Sequence, residues 1–382
     1  MEELTKAFDD GKQVDMIVLD FSKAFDTVPH KRLLQKLNNY GIRDIGQQRL
    51  LSWFENWLCG RTQEVALDGQ SSEKCMVLSG VPQGTVLGPL CFLAFINDIG
   101  NELSPETKLK LFADDSLLFR IIESETDAES LQSDLDSLFS WTHTWHMKFH
   151  PSKCLVMSVT KKKTPISFQY KIQQEKLNHV DTITYLGVQI SNGLQWKQHV
   201  EYVVAKASRT LGFLRRNLHQ CPPHIKAQAY ISLVRPILEY ASPAWDPHNE
   251  GEVKALEKVQ RTAARFVTNC WSREPGCVTK AMKRLGWATL KSRREKARIK
   301  AFHTATTIGH VIKVPAHIRK AGDRYATRTN NPRKFVVPFS RTNTYKYSFF
   351  PRTIREWNSL PDYLVDTENA ISFRRMLDIY WR

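Results

Sequence analysis

Two adjacent carboxylates, Asp114 and Asp115, stand in the middle of KLKLFADDSLLFR (108–120). Leu109, Leu111 and Phe112 lie on one side of them and Leu117, Leu118 and Phe119 on the other. Such apolar flanks predict a strand, a turn and a strand, all buried. Burying an unpaired carboxylate is costly, and burying two together costs more. A third acid, Asp20, closes a separate apolar run, VDMIVLD (14–20). Carboxylates at the ends of neighbouring strands can share divalent cations, which offset their charge and clamp the attacking and leaving oxygens of a phosphoryl transfer. FADD alone is a weak signal, because Asp-Asp turns on protein surfaces are common. It gains weight by following LDFSKAFD (19–26) and SGVPQGTVLGPL (79–90) in that order.

Other elements must hold these acids in place. VDMIVLD reads as a buried strand. HKRLLQKLNNYG (30–41) reads as a helix with Leu33, Leu34 and Leu37 on its apolar face and Gly41 as its stop. TQEVALDGQSSEKCMVLSG (62–80) holds two short strands around LDGQSS, and VPQGTVLGPLCFLAFINDI (81–99) becomes a buried helix. DAESLQSDLDSLFSWTHTW (127–145) predicts an amphipathic helix with Leu131, Leu135, Leu138 and Phe139 inward and its acids outward. CLVMSV (154–159) and TYLGVQI (184–190) predict further strands.

From about residue 195 the pattern is helical. HVEYVVAKASRTLGFLRRNL (199–218) places Val200, Val203, Ala207, Leu211, Leu214 and Leu218 on one face. GEVKALEKVQRTAARFV (251–267) buries Val253, Leu256, Val259 and Phe266, and aligns Lys254, Lys258, Arg261 and Arg265 in one stripe. KSRREKARIK (291–300) is a basic run within a helix. Beyond about residue 309 the signal breaks into short aromatic and basic pieces.

The charge of the 382-residue chain is +16 and unevenly spread. Residues 1–150 carry 14 Lys+Arg and 23 Asp+Glu, a net of −9, which leaves +25 for the remainder. A basic field of that size points to a polyanion, with nucleic acid first. The longest apolar run, VLGPLCFLAFI (86–96), is too short to span a bilayer. MEELTKAFDDGK lacks the order of a signal peptide. The seven cysteines (59, 75, 91, 154, 221, 270 and 277) show no CxxC pair, and predict reduced thiols in an intracellular protein.

At DMIVLDFSKAFDTVPH, SGVPQGTVLGPLCFLAFINDI, LFADDSLLF, FHPSKCLVMSV and YLGVQIS the sequence resembles the reverse transcriptase of a LINE-type, non-long-terminal-repeat retrotransposon of the jockey-like kind. The resemblance continues through LGFLRRNL, AYISLVRPILEYASPAWDPH and LEKVQRTAARF, so it covers nearly the whole chain. The ordered set is far more specific than any one motif.

The resemblance implies an α+β fold: a right-hand polymerase palm with partial fingers, a helical thumb and a basic, mainly helical C-terminal extension. The expected boundaries are 1–190, 191–270 and 271–382. Asp20, Asp114 and Asp115 would hold two Mg2+ ions, with Mn2+ as an alternative, and the backbone carbonyl of Phe21 would complete the coordination. Phe25 falls at the steric-gate position that favours deoxynucleotides, although a core aromatic would occupy it equally well. Gln83 and Gly84 fall in the loop that contacts the incoming nucleotide and template. Lys153 would act as general acid toward pyrophosphate, or is simply an exposed turn lysine. Tyr185, Leu186 and Gly187 resemble the hairpin that grips the primer. The stripe Lys254, Lys258, Arg261 and Arg265 would track a duplex through its phosphates. His143, His146 and His150 receive no role.

The implied activity is RNA-directed DNA synthesis from deoxynucleoside triphosphates on an RNA template and DNA primer. The implied setting is a ribonucleoprotein in cytoplasm and nucleus, with no membrane. FADD replaces the commoner Tyr-Ala-Asp-Asp. The expected upstream fingers and endonuclease do not precede the Asp20 strand, so the expectation is a truncated copy with impaired synthesis. The alternative is a non-catalytic remnant that binds nucleic acid through its basic half.

Overall fold

The computed structural model describes residues 1–45, 48–272, 274–307, 312–321 and 331–381. Five strands, β1 (Gln13–Leu19), β2 (Lys108–Phe112), β3 (Asp115–Ile122), β4 (Leu155–Val159) and β5 (Asn178–His179), form one sheet in the order β5–β4–β1–β3–β2. β1 is central, and it runs antiparallel to both β4 and β3. That position explains its composition, because a strand flanked on both sides and covered on both faces must be apolar nearly throughout. Met16, Ile17 and Leu19 are buried. Its one acid before Asp20, Asp15, is buried too, and is satisfied by Gln13 Nε2 at 3.0 Å and the Tyr170 hydroxyl at 2.8 Å.

Three helices contribute to the core beside this sheet: His30–Asn39, Leu87–Ile96 and Glu125–Trp145. Leu33, Leu37, Phe92, Phe95, Leu131, Leu135 and Leu138 meet Ile17, Leu118 and Val156 there. Ser124 caps the third helix with a capping box completed by Asp127. Phe139 is only half-buried. The expectation that this helix turns its acids outward is corrected at Asp134, which is buried and accepts hydrogen bonds from Ser104 N–H at 2.9 Å and Ser104 Oγ at 2.5 Å. The predicted pair of short strands is present as Ala66–Leu67 with Gln70–Ser71, extended by Thr62–Gln63 with Cys75–Met76.

Contacts divide the chain into two units, residues 11–186 and residues 1–10 with 187–382. The second unit is helical. Its helix Lys197–Asn217 packs on Glu250–Thr268; Val203, Ala207 and Leu211 on the first and Leu256 and Val259 on the second are buried. Helix Glu2–Asp9 belongs to this unit. The Asp9 carboxylate accepts from the backbone N–H of Arg341 (2.9 Å), while the Tyr345 hydroxyl lies 3.1 Å from Glu2 Oε1.

The basic run at 291–300 holds two buried cations. Arg294 pairs with Asp246 at 2.5 Å, and Arg298 pairs with both Asp246 and Glu356. The weak signal after residue 309 conceals helices Phe349–Asn358 and Ala370–Tyr380, which share a core of Ile299, Phe302, Trp357 and Phe373. Cys270 and Cys277 are joined in a disulfide with Cα atoms 6.9 Å apart, which corrects the expectation that all seven thiols are free. Spacing alone missed this pair because a turn lies between its members, closed by Cys277 N–H on the Glu274 carbonyl (3.3 Å). Among the described residues no helix is long and apolar enough to cross a membrane.

Candidate active site

The sheet register brings the predicted acids together. Leu19, the last residue of β1, is the partner of Ser116 on β3. One step further, Asp20 leaves β1 where Asp115 begins β3. β2 and β3 are joined by a two-residue turn, Ala113 and Asp114, between the paired Phe112 and Asp115. Ala113 takes a left-handed conformation there (φ +53°), a backbone state that most residues avoid and tight hairpin turns require. The Asp114 carboxylate therefore sits at the tip and Asp115 at the strand start.

Partial desolvation first, then the charges of Asp114 and Asp20, push the Asp115 carboxyl above the usual carboxylate range. Asp114 and Asp20 thus both lie close enough to act on the Asp115 carboxyl.

The premise of a fully buried acid pair needs correction. Asp115 is exposed and Asp114 half-buried. On the preceding strand Leu111 is 37% exposed and Phe112 64%. β2 is an edge strand, so its apolar residues have solvent on one side. β3, one place further in, does bury Leu117, Leu118 and Phe119.

Lys153 faces Asp20. It ends the short turn Pro151–Lys153, and its Nζ is 3.1 Å from Asp20 Oδ2. The backbone fixes this approach, since His150 N–H donates to the Asp20 carbonyl (2.8 Å) and Lys153 N–H to the His150 carbonyl (2.9 Å). Phe21 forms a bridge with Phe149, with ring centroids 4.5 Å apart. The hydrogen bonds of that bridge are Ser22 N–H to the Lys148 carbonyl (2.8 Å) and His150 N–H to the Asp20 carbonyl (2.8 Å).

Phe25 is half-buried, with its ring stacked on Phe92 at 4.4 Å. Gln83 is exposed, and its Nε2 donates to Asp26 Oδ1 at 2.7 Å. Gly84 has φ +76°, and a Cβ there would meet nothing within 4 Å. A left-handed backbone with open space beside it is where glycine permits close approach by another molecule.

The sequence reading passed over the residues that fix this loop. Gly80 (φ +89°) lies against the Asp26 backbone, where a Cβ would come within 2.8 Å. Gly80 N–H donates to the Val28 carbonyl (2.8 Å), Val81 N–H to the Phe25 carbonyl (2.8 Å), and His30 Nε2 contacts the Gly80 carbonyl (2.9 Å). A Cβ on Gly88 would overlap the Pro82 carbonyl oxygen. Asp26 was the available signal, as the second acid of LDFSKAFD six residues after Asp20.

Tyr185 is half-buried, and burial followed by the charge of Asp115 raises its hydroxyl pKa. It thus lies within electrostatic reach of the acids. Leu186 has φ +47° and Gly187 φ +75°. Tyr185 and Leu186 belong to the first unit and Gly187 to the second. Lys254, Lys258 and Arg261 are exposed and Arg265 is half-buried on helix Glu250–Thr268, with Lys254 bound to Glu250 at 2.9 Å.

Three carboxylates are hard oxygen donors of the kind that Mg2+ and Mn2+ prefer. Their mutual repulsion at Asp115 is what a bound cation would relieve. As they stand, no three His, Cys, Asp or Glu side chains among the described residues form a ready metal cage.

Residues 2–190 match the family described as reverse transcriptase (RNA-dependent DNA polymerase). The chain is 26% identical over 286 residues to the probable RNA-directed DNA polymerase from transposon BS of Drosophila melanogaster, covering 70% of this chain and 30% of that protein. It is 26% identical over 262 residues to the RNA-directed DNA polymerase from mobile element jockey of the same species, covering 65% and 28%. Among solved structures, apo telomerase from Candida tropicalis covers 81% of this chain and 54% of its own at 10% identity, with a TM-score of 0.40, too slight a likeness to bear on the fold. The chain spans about three-tenths of the length of these curated relatives. With the ordered motifs and the acid site in one unit, residues 2–190 form a reverse transcriptase domain of the LINE-type, non-long-terminal-repeat kind.

Proposed function

We propose that this chain is the polymerase part of a non-long-terminal-repeat element and extends a DNA 3′-hydroxyl on an RNA template with deoxynucleoside triphosphates. The observation that carries the reading is the Leu19–Ser116 register, which sets Asp20 beside Asp115 and the Asp114 turn. Asp20, Asp114 and Asp115 would hold two divalent cations, Mg2+ or Mn2+, with the Phe21 carbonyl as a further ligand. Bound there, such ions stabilise the charge that develops on the phosphate oxygens.

The chain's own side chains orient and protonate. Lys153, already beside Asp20, neutralises the departing pyrophosphate and gives it a proton. Gln83, held by Asp26, and the bare backbone at Gly84 accept the nucleotide and template base. The Phe25 ring, braced on Phe92, limits space beside the sugar. Tyr185, Leu186 and Gly187 position the primer end. In-line positioning of this kind can supply about 7–11 kcal/mol of the barrier. Lys254, Lys258, Arg261 and Arg265 hold the duplex by its phosphates. The setting of such a reaction is a ribonucleoprotein of cytoplasm and nucleus.

The test is incorporation of labelled deoxynucleotide on primed polyriboadenylate with Mg2+, alongside Mn2+ binding followed by electron paramagnetic resonance. Asp20→Asn and Asp114→Asn should each abolish incorporation and weaken Mn2+ binding, with the melting temperature kept. Incorporation at an undiminished rate by Asp114→Asn overturns the reading.

A further inference from the structure

Helix Lys197–Asn217 carries a feature that the polymerase reading leaves unused. Its buried face is Val200, Val203, Ala207, Leu211 and Leu214. On the opposite side stand Tyr202, Lys206, Arg209, Phe213 and Arg216, spaced four, three, four and three residues apart, and all five are exposed. That spacing sets them in one row along the helix. The row spans about 21 Å at 1.5 Å per residue. Tyr202 is 41% exposed and Phe213 56%. Neither ring contacts another aromatic ring among the described residues. No acid interrupts the row, although Glu201 adjoins its first member.

A row of cations alone is a surface for phosphates, which is all that a duplex presents without base readout. Lys254, Lys258 and Arg261 on helix Glu250–Thr268 are such a row, with no exposed aromatic among them. The row on Lys197–Asn217 differs by its two outward rings. An exposed ring gains when a flat apolar partner stacks on it. A strand with unpaired bases offers such partners, together with phosphates for the cations between the rings, whereas a duplex keeps its bases stacked inside.

We infer that the Tyr202–Arg216 face binds single-stranded nucleic acid, with bases stacking on Tyr202 and Phe213 and phosphates meeting Lys206, Arg209 and Arg216. The inference goes beyond the polymerase reading and stands on these side chains alone.

The experiment uses the full chain without metal or nucleotide, so the result does not depend on the acid site. Fluorescence anisotropy would follow labelled 15-residue oligouridylate, oligothymidylate and a blunt hairpin duplex. The paired substitution Tyr202→Ala with Phe213→Ala should weaken single-strand binding about tenfold or more and change duplex binding less than twofold. The conservative pair Tyr202→Phe with Phe213→Tyr should restore single-strand binding. Lys206→Ala with Arg209→Ala should reduce affinity for every oligonucleotide and flatten its salt dependence. Comparing oligouridylate with oligothymidylate tells whether the strand taken is RNA or DNA. Single-strand binding unchanged in the alanine pair, equal losses for single strand and duplex, or no oligonucleotide binding by the unsubstituted chain would each overturn the inference.

Discussion

Leu19 and Ser116 are register partners on adjacent antiparallel strands, and the site is built on that one pairing. Because side chains alternate along a strand, a slip of one residue would turn Asp115 to the other face of the sheet and part it from Asp20.

The first prediction concerns the acids themselves. Asp114 and Asp20 both raise the Asp115 pKa after burial. Asp114→Asn removes one neighbouring negative charge, so Asp115 should titrate at lower pH than in the unsubstituted chain. Carboxyl carbon resonances followed through an acid titration read this directly. Because the folded pKa lies above the unfolded one, ionising Asp115 costs stability as pH rises through that window, and the substitution should shrink this loss. An unmoved Asp115 midpoint would mean that the acids do not share one field.

Gly88→Ala should destabilise the first unit. Alanine normally favours a helix by about 1 kcal/mol over glycine. Here the added methyl would overlap the Pro82 carbonyl oxygen, and backbone cannot yield as a flexible side chain can. Overpacking of that kind costs about 1–3 kcal/mol, so the clash should outweigh the propensity gain. Urea denaturation measures the net sign, and stabilisation would contradict the packing described.

Lys36 supplies a pH dependence. Its ammonium is buried among Phe95, Trp141 and Trp145, and that burial pulls it down to about 8 against the opposing pull of Asp98, 2.5 Å away. Between that value and the ordinary 10.5 the unfolded chain holds a proton that the folded chain has released. Stability should therefore rise with pH across this window, and the penalty is present in full below it. At about 1.4 kcal/mol per unit the effect is roughly 3 kcal/mol. Lys36→Met should remove the rise in melting temperature between pH 8 and 10. Parallel curves for the two proteins would refute this.

Asp246→Ala should be among the most damaging substitutions in the second unit. Asp246 is the shared counter-ion of buried Arg294 and Arg298, and Arg352 lies 3.4 Å away. Burial already pulls both buried arginines down to about 10. Removing their carboxylate strands charge in the interior, at a cost of about 3–5 kcal/mol. Guanidinium denaturation should show the loss. A change under 1 kcal/mol would mean that Glu356 and solvent suffice.

The chemistry was legible in the residue string because it depends on local signals. Asp20 at the end of an apolar run, Asp114 and Asp115 between two others, and the glycines of SGVPQGTVLGPL mark strand ends and turns wherever they fold. The stripe on 251–267 and the buried face of 199–218 follow from helical period alone. What the string could not decide was which residues meet across distance. Burial depends on a strand's place in the sheet, so KLKLF, apolar enough for a core, is an exposed edge. Ion pairing depends on neighbours far along the chain, so the basic run within the helix at 291–300 holds Arg294 and Arg298 in the interior against Asp246 and Glu356. Asp134, outward by pattern, turned in because Ser104 offered two donors. Cys270 and Cys277 met because a turn intervenes, which spacing does not encode. Periodicity fixes which face of an element is apolar; only the assembled neighbours decide whether a polar group on it has a partner, and hence whether it can be buried.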